Sequence, residues 1–374
     1  MAEKPKSWPA SMIISVTLGI LFVATLACFT IWMPIQPYSY SLIFPSSLNV
    51  NPKRIGSCED HNLQGGEDET LESILARTPM TQNKTLIIAV VNKAYVEHEV
   101  YNGSATMLDT FLQSFWLGEN TRPLLDNLLL VAADQTAYDR CRFLRLNCFK
   151  MRTEGVDFGG EKLYMSNDFI KMMWRRTELL LHVLKLGFNF IFTDTDVLWL
   201  RNPYMNLSND MNIDLQISCD KFNNHLSSKN ALINTGFYFV RSNNRTIALF
   251  DKWHSMKDNS TGKKEQDVLL DLIRDNIFGR LNLTARYLDS LYFNGFCSPR
   301  RDIRVVTTVH ANCCRSIRAK VSDLTAVLRD WQAFKKSAPS REGVVNGTTS
   351  TAGGRNRTVS YDWSKPVNCA NSWK

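Results

Sequence analysis

The segment Phe190–Pro203 (FIFTDTDVLWLRNP) constrains this chain more than any other part of its sequence. An apolar run leads into Asp194 and Asp196, and a second apolar run follows them, which is typical of a buried strand that ends in two carboxylates. Because a buried carboxylate is costly unless it binds a cation or a donor, we expect a site to begin here. Two carboxylates at this spacing can hold one divalent cation, whose other positions can take diphosphate oxygens. A pair of capping aspartates is the alternative interpretation.

Patterns typical of strands and helices alternate along most of the chain. The predicted strands are Thr85–Val91, Asn127–Ala132, Phe188–Phe192, Ile213–Ser218, Phe237–Val240 and Val305–Val309, and the predicted helices are Ala105–Trp116, Thr136–Leu146, Asp168–Leu186, Asn244–Met256, Gln266–Ile277 and Ala319–Phe334. This alternation predicts an α/β fold with a mostly parallel sheet and helices on both faces. Open sheets of that kind bind ligands beyond the carboxyl ends of their strands, where Asp194 and Asp196 lie.

Residues at the ends of other predicted strands offer further site candidates. His310 ends the run RVVTTVH and could be a third metal ligand, or a hydrogen-bonded histidine at a strand end. Asn234 could bind sugar hydroxyls, and Gly236 would let a ligand approach the backbone, although a plain turn explains both. Asp220 follows a predicted strand and could reach the same cleft.

Polar residues on two predicted helices are also candidates. Glu265, Gln266 and Asp267 open a helix. Acidic side chains there suit the positive end of the helix dipole, so capping is the alternative to a site role. Arg175 and Arg176 are neighbours on the long predicted helix, and one of them can pair with a site carboxylate while the other faces solvent.

Seven segments in this order resemble glycosyltransferase family 77, chiefly plant Golgi nucleotide-diphospho-sugar transferases. They are Leu128–Cys141, Thr153–Ser166, Met172–Leu184, Thr193–Pro203 (TDTDVLWLRNP), Asn234–Ser242 (NTGFYFVRS), Glu265–Asp267 (EQD) and His310–Cys314 (HANCC). The resemblance covers residues 84–314 and does not fix the sugar or the acceptor.

The resemblance implies a GT-A-like (Rossmann-like) domain that transfers a sugar from a UDP-sugar with retention of configuration. It implies Asp194, Asp196 and His310 as ligands of Mn²⁺ or Mg²⁺, and imidazole favours Mn²⁺. It also implies catalytic roles for Asp267, Asp194 and Asp196, and substrate-binding roles for Asn234, Gly236, Asp220 and Gln266. A double displacement needs a carboxylate beneath the anomeric carbon, for which Asp267 is the candidate, whereas front-side attack by the acceptor needs none.

The expected acceptor is a cell-wall polysaccharide or a glycoprotein. A non-catalytic luminal protein of the same fold, which binds carbohydrate or forms complexes, is the alternative, and a nucleotide-sugar hydrolase is a third hypothesis. The presence of Asp194, Asp196 and His310 together favours an enzyme, because a protein without catalysis has no need of all three.

The N-terminal region predicts a membrane anchor followed by a linker. Met12–Trp32 is an apolar run without a charge, long enough to span a bilayer, with a cleaved signal peptide as the alternative. Lys4 and Lys6 precede it and no Lys or Arg follows until Lys53, which predicts a cytosolic N terminus and a luminal body. The predicted organisation is a cytosolic tail (1–11), a transmembrane anchor (12–33), a luminal stem (34–82), a catalytic domain (83–336) and a flexible tail whose end can dock back (337–374).

Cysteines and glycosylation sequons favour a body in the Golgi lumen. Cys28 lies in the predicted anchor, which leaves eight of the nine cysteines for an oxidising compartment. The spacing of Cys141 and Cys148 permits a local bridge, while the adjacent Cys313 and Cys314 are expected to pair with distant cysteines. Eight Asn-x-Ser/Thr sequons begin at Asn83, Asn102, Asn206, Asn244, Asn259, Asn282, Asn346 and Asn356.

The net charge of +8 suits an anionic donor, and also an acidic polysaccharide acceptor. No basic stripe interleaved with aromatic residues occurs in the sequence, so we expect no nucleic-acid partner. Assembly into a homo- or hetero-oligomer is compatible with the sequence.

Overall fold

The structure is a computed structural model that describes residues 69–80, 84–97, 105–153, 156, 158–162, 164–222, 232–298, 300–337 and 361–374. The strands are β1 (Thr85–Val91), β2 (Leu128–Ala132), β3 (Asn147–Lys150), β4 (Asn189–Thr193), β5 (Val197–Trp199), β6 (Leu215–Lys221), β7 (Leu232–Val240), β8 (Ala285–Tyr287), β9 (Phe293–Gly295) and β10 (Thr308–His310). The helices are α1 (Leu71–Arg77), α2 (Lys93–Val96), α3 (Met107–Leu117), α4 (Gln135–Phe143), α5 (Asn167–Lys185), α6 (Asn244–Ser255), α7 (Glu265–Arg274), α8 (Ile277–Arg280), α9 (Ile317–Ser337) and α10 (Val367–Asn371). Two 3₁₀ helices span Arg122–Asn127 and Pro203–Met205.

Seven strands form a main sheet in the order β3-β2-β1-β4-β7-β6-β8. Neighbouring strands run parallel, except that β7 lies antiparallel to both β4 and β6. The prediction of a mostly parallel α/β sheet is therefore confirmed. The chain winds outward from β1 to β3 and then crosses to β4 on the other side, so a crevice is expected at the carboxyl ends of β1 and β4. Asp194 lies at the second of these ends.

Helices cover both faces of the main sheet, as predicted. Along β1, Leu86 and Ile88 join a buried cluster with residues of α1, α5, α6 and α7. Ile87 and Ala89 point the other way and join a cluster with residues of α3 and α4. Burial on both faces explains why β1 is a continuous apolar run and does not alternate with polar residues.

A smaller sheet of three strands has the order β5-β10-β9. β5 runs antiparallel to β10, and β10 runs parallel to β9. Buried Leu198 of β5 and Val309 of β10 share a cluster with Leu324 and Trp331 of α9. Because β5 begins immediately after Asp196 and β10 ends at His310, this sheet carries a residue from late in the chain back to the end of β4.

Three disulfides lie within the described residues, namely Cys141–Cys148, Cys297–Cys313 and Cys314–Cys369. They confirm the local bridge and the pairing of Cys313 and Cys314 with other cysteines. Cys219 is buried and free. The third bridge joins the segment 361–374 to the loop after β10, so the C-terminal end docks back onto the domain.

Several elements differ from the sequence prediction. The strands β3, β5, β8 and β9 were not predicted, and β7 begins at Leu232, so Asn234 and Gly236 lie within a strand and not in a turn. Residues 71–77, assigned to the stem as linker, form α1, with Leu71, Ile74 and Leu75 buried in the core. The late strand predicted at Val305–Val309 is shorter, is displaced to Thr308–His310, and belongs to the smaller sheet. The predicted anchor (12–33), most of the stem (34–82) and residues 338–360 of the tail lie outside the described residues. Within the described ranges, no helix combines the length and apolarity needed to cross a membrane.

Candidate active site

Backbone hydrogen bonds fix Asp194 and Asp196 at the end of β4. The amide of Asp194 donates to the carbonyl of Gly236 in β7 at 2.8 Å, and the amide of Val197 donates to the carbonyl of Asp194 at 3.2 Å. The carbonyl of Asp196 accepts from the amide of Ala311, just after β10, at 2.9 Å. The main and smaller sheets therefore meet at the two aspartates.

The side chains of Asp194, Asp196 and His310 converge on one point. His310 Nε2 lies 3.2 Å from Asp196 Oδ1 and 3.9 Å from Asp194 Oδ2. One potential donor atom from each residue lies within 4.8 Å of the others. The three residues expected to bind a metal are thus brought together, although His310 arrives from the smaller sheet.

A basic side chain holds the second oxygen of each aspartate. Arg176 Nη1 lies 2.8 Å from Asp194 Oδ1, and Lys320 Nζ lies 2.7 Å from Asp196 Oδ2. These contacts turn the remaining oxygens, Asp194 Oδ2 and Asp196 Oδ1, toward His310, which is how outer contacts orient metal ligands. Two carboxylate oxygens and one imidazole nitrogen suit Mn²⁺ and also permit Mg²⁺. The residues present therefore fit the cation that the resemblance implies.

The charges around Asp196 shift one another's pKa values. Burial alone would raise the pKa of Asp196, but the positive charges of Lys320 and His310 outweigh burial and hold that pKa well below its ordinary value. Burial alone would lower the pKa of Lys320 and of His310, but the Asp196 carboxylate raises both. Asp196 is therefore ionised near neutral pH, as a metal ligand must be.

Arg176 connects the site to the core of the domain. Its side chain is buried, and Nη2 lies 2.5 Å from Oε1 of the buried Glu265 at the start of α7. The prediction that one of the neighbouring arginines pairs with a site carboxylate is confirmed for Arg176, through Asp194. Arg175 instead lies 2.9 Å from Glu178 on the same helix.

Gly236 leaves the room that the metal cluster occupies. A Cβ atom at this position would lie too close to the His310 ring and 2.8 Å from Asp194 Oδ2. The Gly236 amide donates to Asn234 Oδ1 at 2.8 Å, which fixes the start of β7 beside the aspartates. Any other residue at this position would force the cluster apart.

Asp220 and Asn234 form a polar group next to the metal cluster. Asn234 Nδ2 donates to Asp220 Oδ1 at 2.7 Å, and Asn312 Nδ2 donates to the same oxygen at 2.7 Å. The structure thus brings both predicted residues to one place. It adds Asn312, two residues after His310, which was not predicted.

The start of α7 places Gln266 and Asp267 differently. Gln266 Oε1 accepts from the amide of Thr235 at 3.0 Å and from its hydroxyl at 3.1 Å, and Gln266 lines the cavity described below. Asp267 is not among the described residues that line that cavity. Its amide donates to the Lys264 carbonyl in the first helical turn at 3.1 Å, and burial raises the pKa of its carboxyl. A catalytic role for Asp267 stays a prediction.

A cavity of about 310 Å³ opens beside the aspartates. The predicted site residues that line it are Asp194, Asp196, Asp220, Asn234, Gly236, Gln266 and His310. The lining residues that sequence reasoning missed include Lys320, Asn312, Tyr164 and Trp373. Of these, Asn312 and Tyr164 were within reach of sequence reasoning, since they lie inside the quoted segments His310–Cys314 and Thr153–Ser166.

Residues 123–324 match the family model described as nucleotide-diphospho-sugar transferase. This match contains Asp194, Asp196 and His310. The chain belongs to the nucleotide-diphospho-sugar transferase family. The prediction that it is an enzyme of the glycosyltransferase class is thereby confirmed.

The transferase is similar to two proteins of Arabidopsis thaliana and to one solved galactosyltransferase structure. An uncharacterised protein of Arabidopsis thaliana is 54% identical over 306 residues, which cover 82% of this chain and 84% of the relative. Beta-arabinofuranosyltransferase RAY1 of Arabidopsis thaliana is 26% identical over 259 residues, 65% of this chain and 44% of RAY1. The crystal structure of galactosyltransferase LgtC in complex with donor and acceptor sugar analogues aligns with a TM-score of 0.37 and 13% identity, over 66% of this chain and 99% of LgtC.

Proposed function

We propose that the transferase is a metal-dependent, retaining enzyme of glycosyltransferase family 77, which moves a sugar from a UDP-sugar to a cell-wall polysaccharide or a glycoprotein. The convergence of Asp194 Oδ2, Asp196 Oδ1 and His310 Nε2 beside the cavity supports this proposal most directly. Membership of the family supports a nucleotide-sugar donor. The relative named as a beta-arabinofuranosyltransferase supports sugar transfer as the reaction.

Charge stabilisation is the main task of the metal cluster in this proposal. Mn²⁺ or Mg²⁺ held by Asp194, Asp196 and His310 would stabilise the negative charge that develops on the departing diphosphate. Arg176 and Lys320 keep one oxygen of each aspartate turned toward that cation. Lys320 also places a positive charge, on a side chain that is 18% exposed, beside the same space.

Polar groups at the start of β7 and α7 would orient the donor sugar. Asn234 and Asp220 present amide and carboxylate groups to the cavity, and Gln266 is fixed there by Thr235. Hydrogen bonds from a rigid set of this kind fix the orientation of a sugar and exclude isomers with misplaced hydroxyls. The absent side chain of Gly236 gives the donor access to the cluster.

Front-side attack explains retention better than a covalent intermediate in this site. The cavity-lining carboxylates within the described ranges have partners that occupy one or both oxygens: Asp194 and Glu265 with Arg176, Asp196 with Lys320, Asp220 with Asn234 and Asn312, and Glu161 with the amide of Ile317. A nucleophilic carboxylate needs only one free oxygen, but Asp267, the predicted nucleophile, is not among the described residues that line the cavity. We therefore favour attack by the acceptor hydroxyl on the face that the diphosphate leaves.

We also propose that the transferase is a single-pass type II protein of the Golgi membrane with a luminal catalytic domain. Disulfide bonds persist in oxidising compartments, and three within the described ranges support a luminal body. Protease added to sealed Golgi vesicles should spare the domain until detergent is added. Complete digestion without detergent would rule out this orientation.

A donor panel tests the proposed reaction. The full-length protein in detergent is incubated with single UDP-sugars and Mn²⁺, with and without cell-wall oligosaccharides, and UDP release is measured. We expect one or a few UDP-sugars to release UDP, faster when an acceptor is present. Release that is independent of every acceptor would indicate a hydrolase, and no release or binding with any donor would contradict the proposal.

A further inference from the structure

Two exposed aromatic side chains stand at the rim of the cavity. Trp373 is 51% exposed and Tyr164 is 44% exposed, yet both line the cavity that contains Asp194 and His310. Their ring centroids lie 6.2 Å apart, with the planes at 77° to each other. Large aromatic side chains left in contact with water forgo the stabilisation of burial, and a group of them usually marks a binding surface.

Trp373 is held in place despite its exposure and its position near the chain end. Its indole Nε1 donates to the carbonyl of Cys313 at 2.9 Å. The preceding turn is tied down by the Cys314–Cys369 disulfide and by the amide of Cys369, which donates to Asp323 Oδ2 at 2.7 Å. An indole that is already fixed loses little conformational freedom when a ligand stacks on it.

Tyr164 connects this aromatic pair to the catalytic side of the cavity. Its ring lies 5.5 Å from that of Phe169 and has the Lys264 ammonium 5.1 Å from its centroid. Lys264 immediately precedes Glu265 and Gln266, the residues that contact Arg176 and Thr235. The aromatic pair therefore lies beside the turn that we expect to face the reacting sugar.

We propose that Tyr164 and Trp373 form the acceptor subsite, where a glycan chain stacks the apolar C–H faces of its sugar rings on the two aromatic rings. The proposal rests on the proposed function, because it assigns the second substrate of the same site. A sugar ring is apolar on its faces and polar at its edge, so it fits a rigid aromatic surface with polar neighbours. Lys264 and Gln266 supply such neighbours.

Variants of the aromatic pair test this subsite. Full-length wild type, Tyr164→Ala, Trp373→Ala and the double variant are applied to an array of arabinan, galactan, xyloglucan and oligogalacturonide fragments, and the fragment retained best is then titrated. We expect each single variant to bind it at least about tenfold more weakly, and the double variant more weakly still. Trp373→Phe keeps an aromatic face and should retain more affinity than Trp373→Ala.

Trp116→Ala is the matched control, since Trp116 is 39% exposed and lies outside the cavity lining. It should leave glycan binding unchanged, and melting curves should show that all variants fold. Retention of no fragment by the wild type, or unchanged affinity in the double variant, would overturn the proposal. A loss of UDP affinity in Tyr164→Ala or Trp373→Ala would also overturn it, because the rings would then stack on the nucleobase.

Failure of this proposal can be told apart from failure of the proposed function. Asp194→Asn should lose Mn²⁺-dependent UDP binding and keep glycan retention, whereas the aromatic variants should do the reverse. If Asp194→Asn keeps its UDP binding, the metal site is wrong while the glycan result stands. If the aromatic double variant retains the glycan like the wild type while Asp194→Asn loses its UDP binding, the acceptor subsite is wrong while the metal site stands.

Discussion

Arg176 and Asp194 form an ion pair between a buried guanidinium and a partly exposed carboxylate, 2.8 Å between Nη1 and Oδ1, which joins the middle of α5 to the end of β4. The same guanidinium lies 2.5 Å from Glu265, whose side chain is 1% exposed. One cation thus holds two carboxylates from two other elements. Loss of that cation would leave a buried charge on Glu265 and a free oxygen on Asp194, so Arg176 links the stability of the core to the orientation of a metal ligand.

Replacement of Arg176 should therefore destabilise the domain strongly. We expect Arg176→Met to lower the free energy of unfolding by about 3–5 kcal/mol, because it leaves an unpaired buried carboxylate. Adding Glu265→Gln should recover part of that loss. Urea denaturation measures both values.

Lys185→Met on the same helix is the control, since the Lys185–Asp251 pair is exposed and should contribute less than about 1 kcal/mol. Equal stability of Arg176→Met and Lys185→Met would contradict the role given to Arg176.

The centre of this site could be predicted from the sequence, because local patterns define it. The apolar strand before Asp194 and the apolar run after Asp196 place the pair at a strand end without any tertiary information. His310 was named as a candidate because it ends the run RVVTTVH, and the family resemblance gave it the role of third ligand. Its membership of a separate small sheet was not predictable, because strand pairing over more than a hundred residues leaves no local pattern.

Other parts of the site depend on contacts that the sequence does not display. Lys320 lies in the first turn of α9, where a lysine usually faces solvent, and only the packing of α9 on the smaller sheet places it against Asp196. Trp373 lies in the C-terminal segment that was predicted to dock back, but its place beside the cavity depends on the Cys314–Cys369 pairing, which the sequence does not give. The short helix α1 was taken for linker, because seven residues give too little periodicity to distinguish a helix.

Asp214, fully buried before β6, should make the stability of the domain depend on pH. Its carboxylate accepts from the Thr284 amide at 2.9 Å, from Asn243 Nδ2 at 2.8 Å and from Arg245 Nη2 at 2.6 Å. Burial alone would raise the pKa of Asp214, but the hydrogen bonds from Arg245, Thr284 and Asn243 outweigh burial and lower it. The native state therefore favours the ionised form more than the unfolded state does.

The stabilisation from Asp214 should be complete above the unfolded pKa of about 3.9 and decline as the pH falls through the lower folded pKa. At pH 7, Asp214→Asn should lower the free energy of unfolding by about 2–4 kcal/mol. The new amide NH₂ group would face the donors that bind the carboxylate, and the charge-assisted hydrogen bonds would be lost. Its difference from wild type should shrink toward pH 3. A difference that stays constant or grows on acidification, in guanidinium titrations at several pH values, would contradict this account.

The disulfides should differ in their contribution to stability. Cys314–Cys369 spans 55 residues and Cys141–Cys148 spans 7. Loop-closure entropy predicts that replacing both cysteines by serine costs about 4 kcal/mol at the first bridge and about 2.5 kcal/mol at the second. Denaturation of the two double-serine variants measures this, and a larger loss at Cys141–Cys148 would contradict the prediction.

Single substitutions should distinguish how much Asp194, Asp196 and His310 each contribute to metal affinity. Asp194→Asn and Asp196→Asn each remove a negative charge that binds the cation, while Arg176 keeps its ion pair with Glu265. His310→Ala removes one nitrogen ligand, and no negative charge, from the cation, and water can replace it, so its effect on Mn²⁺ affinity should be milder. Circular dichroism should show native helix content in all three, because the lost groups serve the cation and not the core.

Calorimetric titration of UDP into the full-length protein with Mn²⁺ tests the metal site most directly. The wild type and the control Asp251→Asn, an exposed carboxylate on α6, should bind UDP with Mn²⁺ and lose that binding when a chelator is added. Asp194→Asn and Asp196→Asn should bind at least about 100-fold more weakly while they remain folded. Folded aspartate variants that bind UDP with Mn²⁺ as tightly as the wild type would contradict the assignment of Asp194 and Asp196 as ligands.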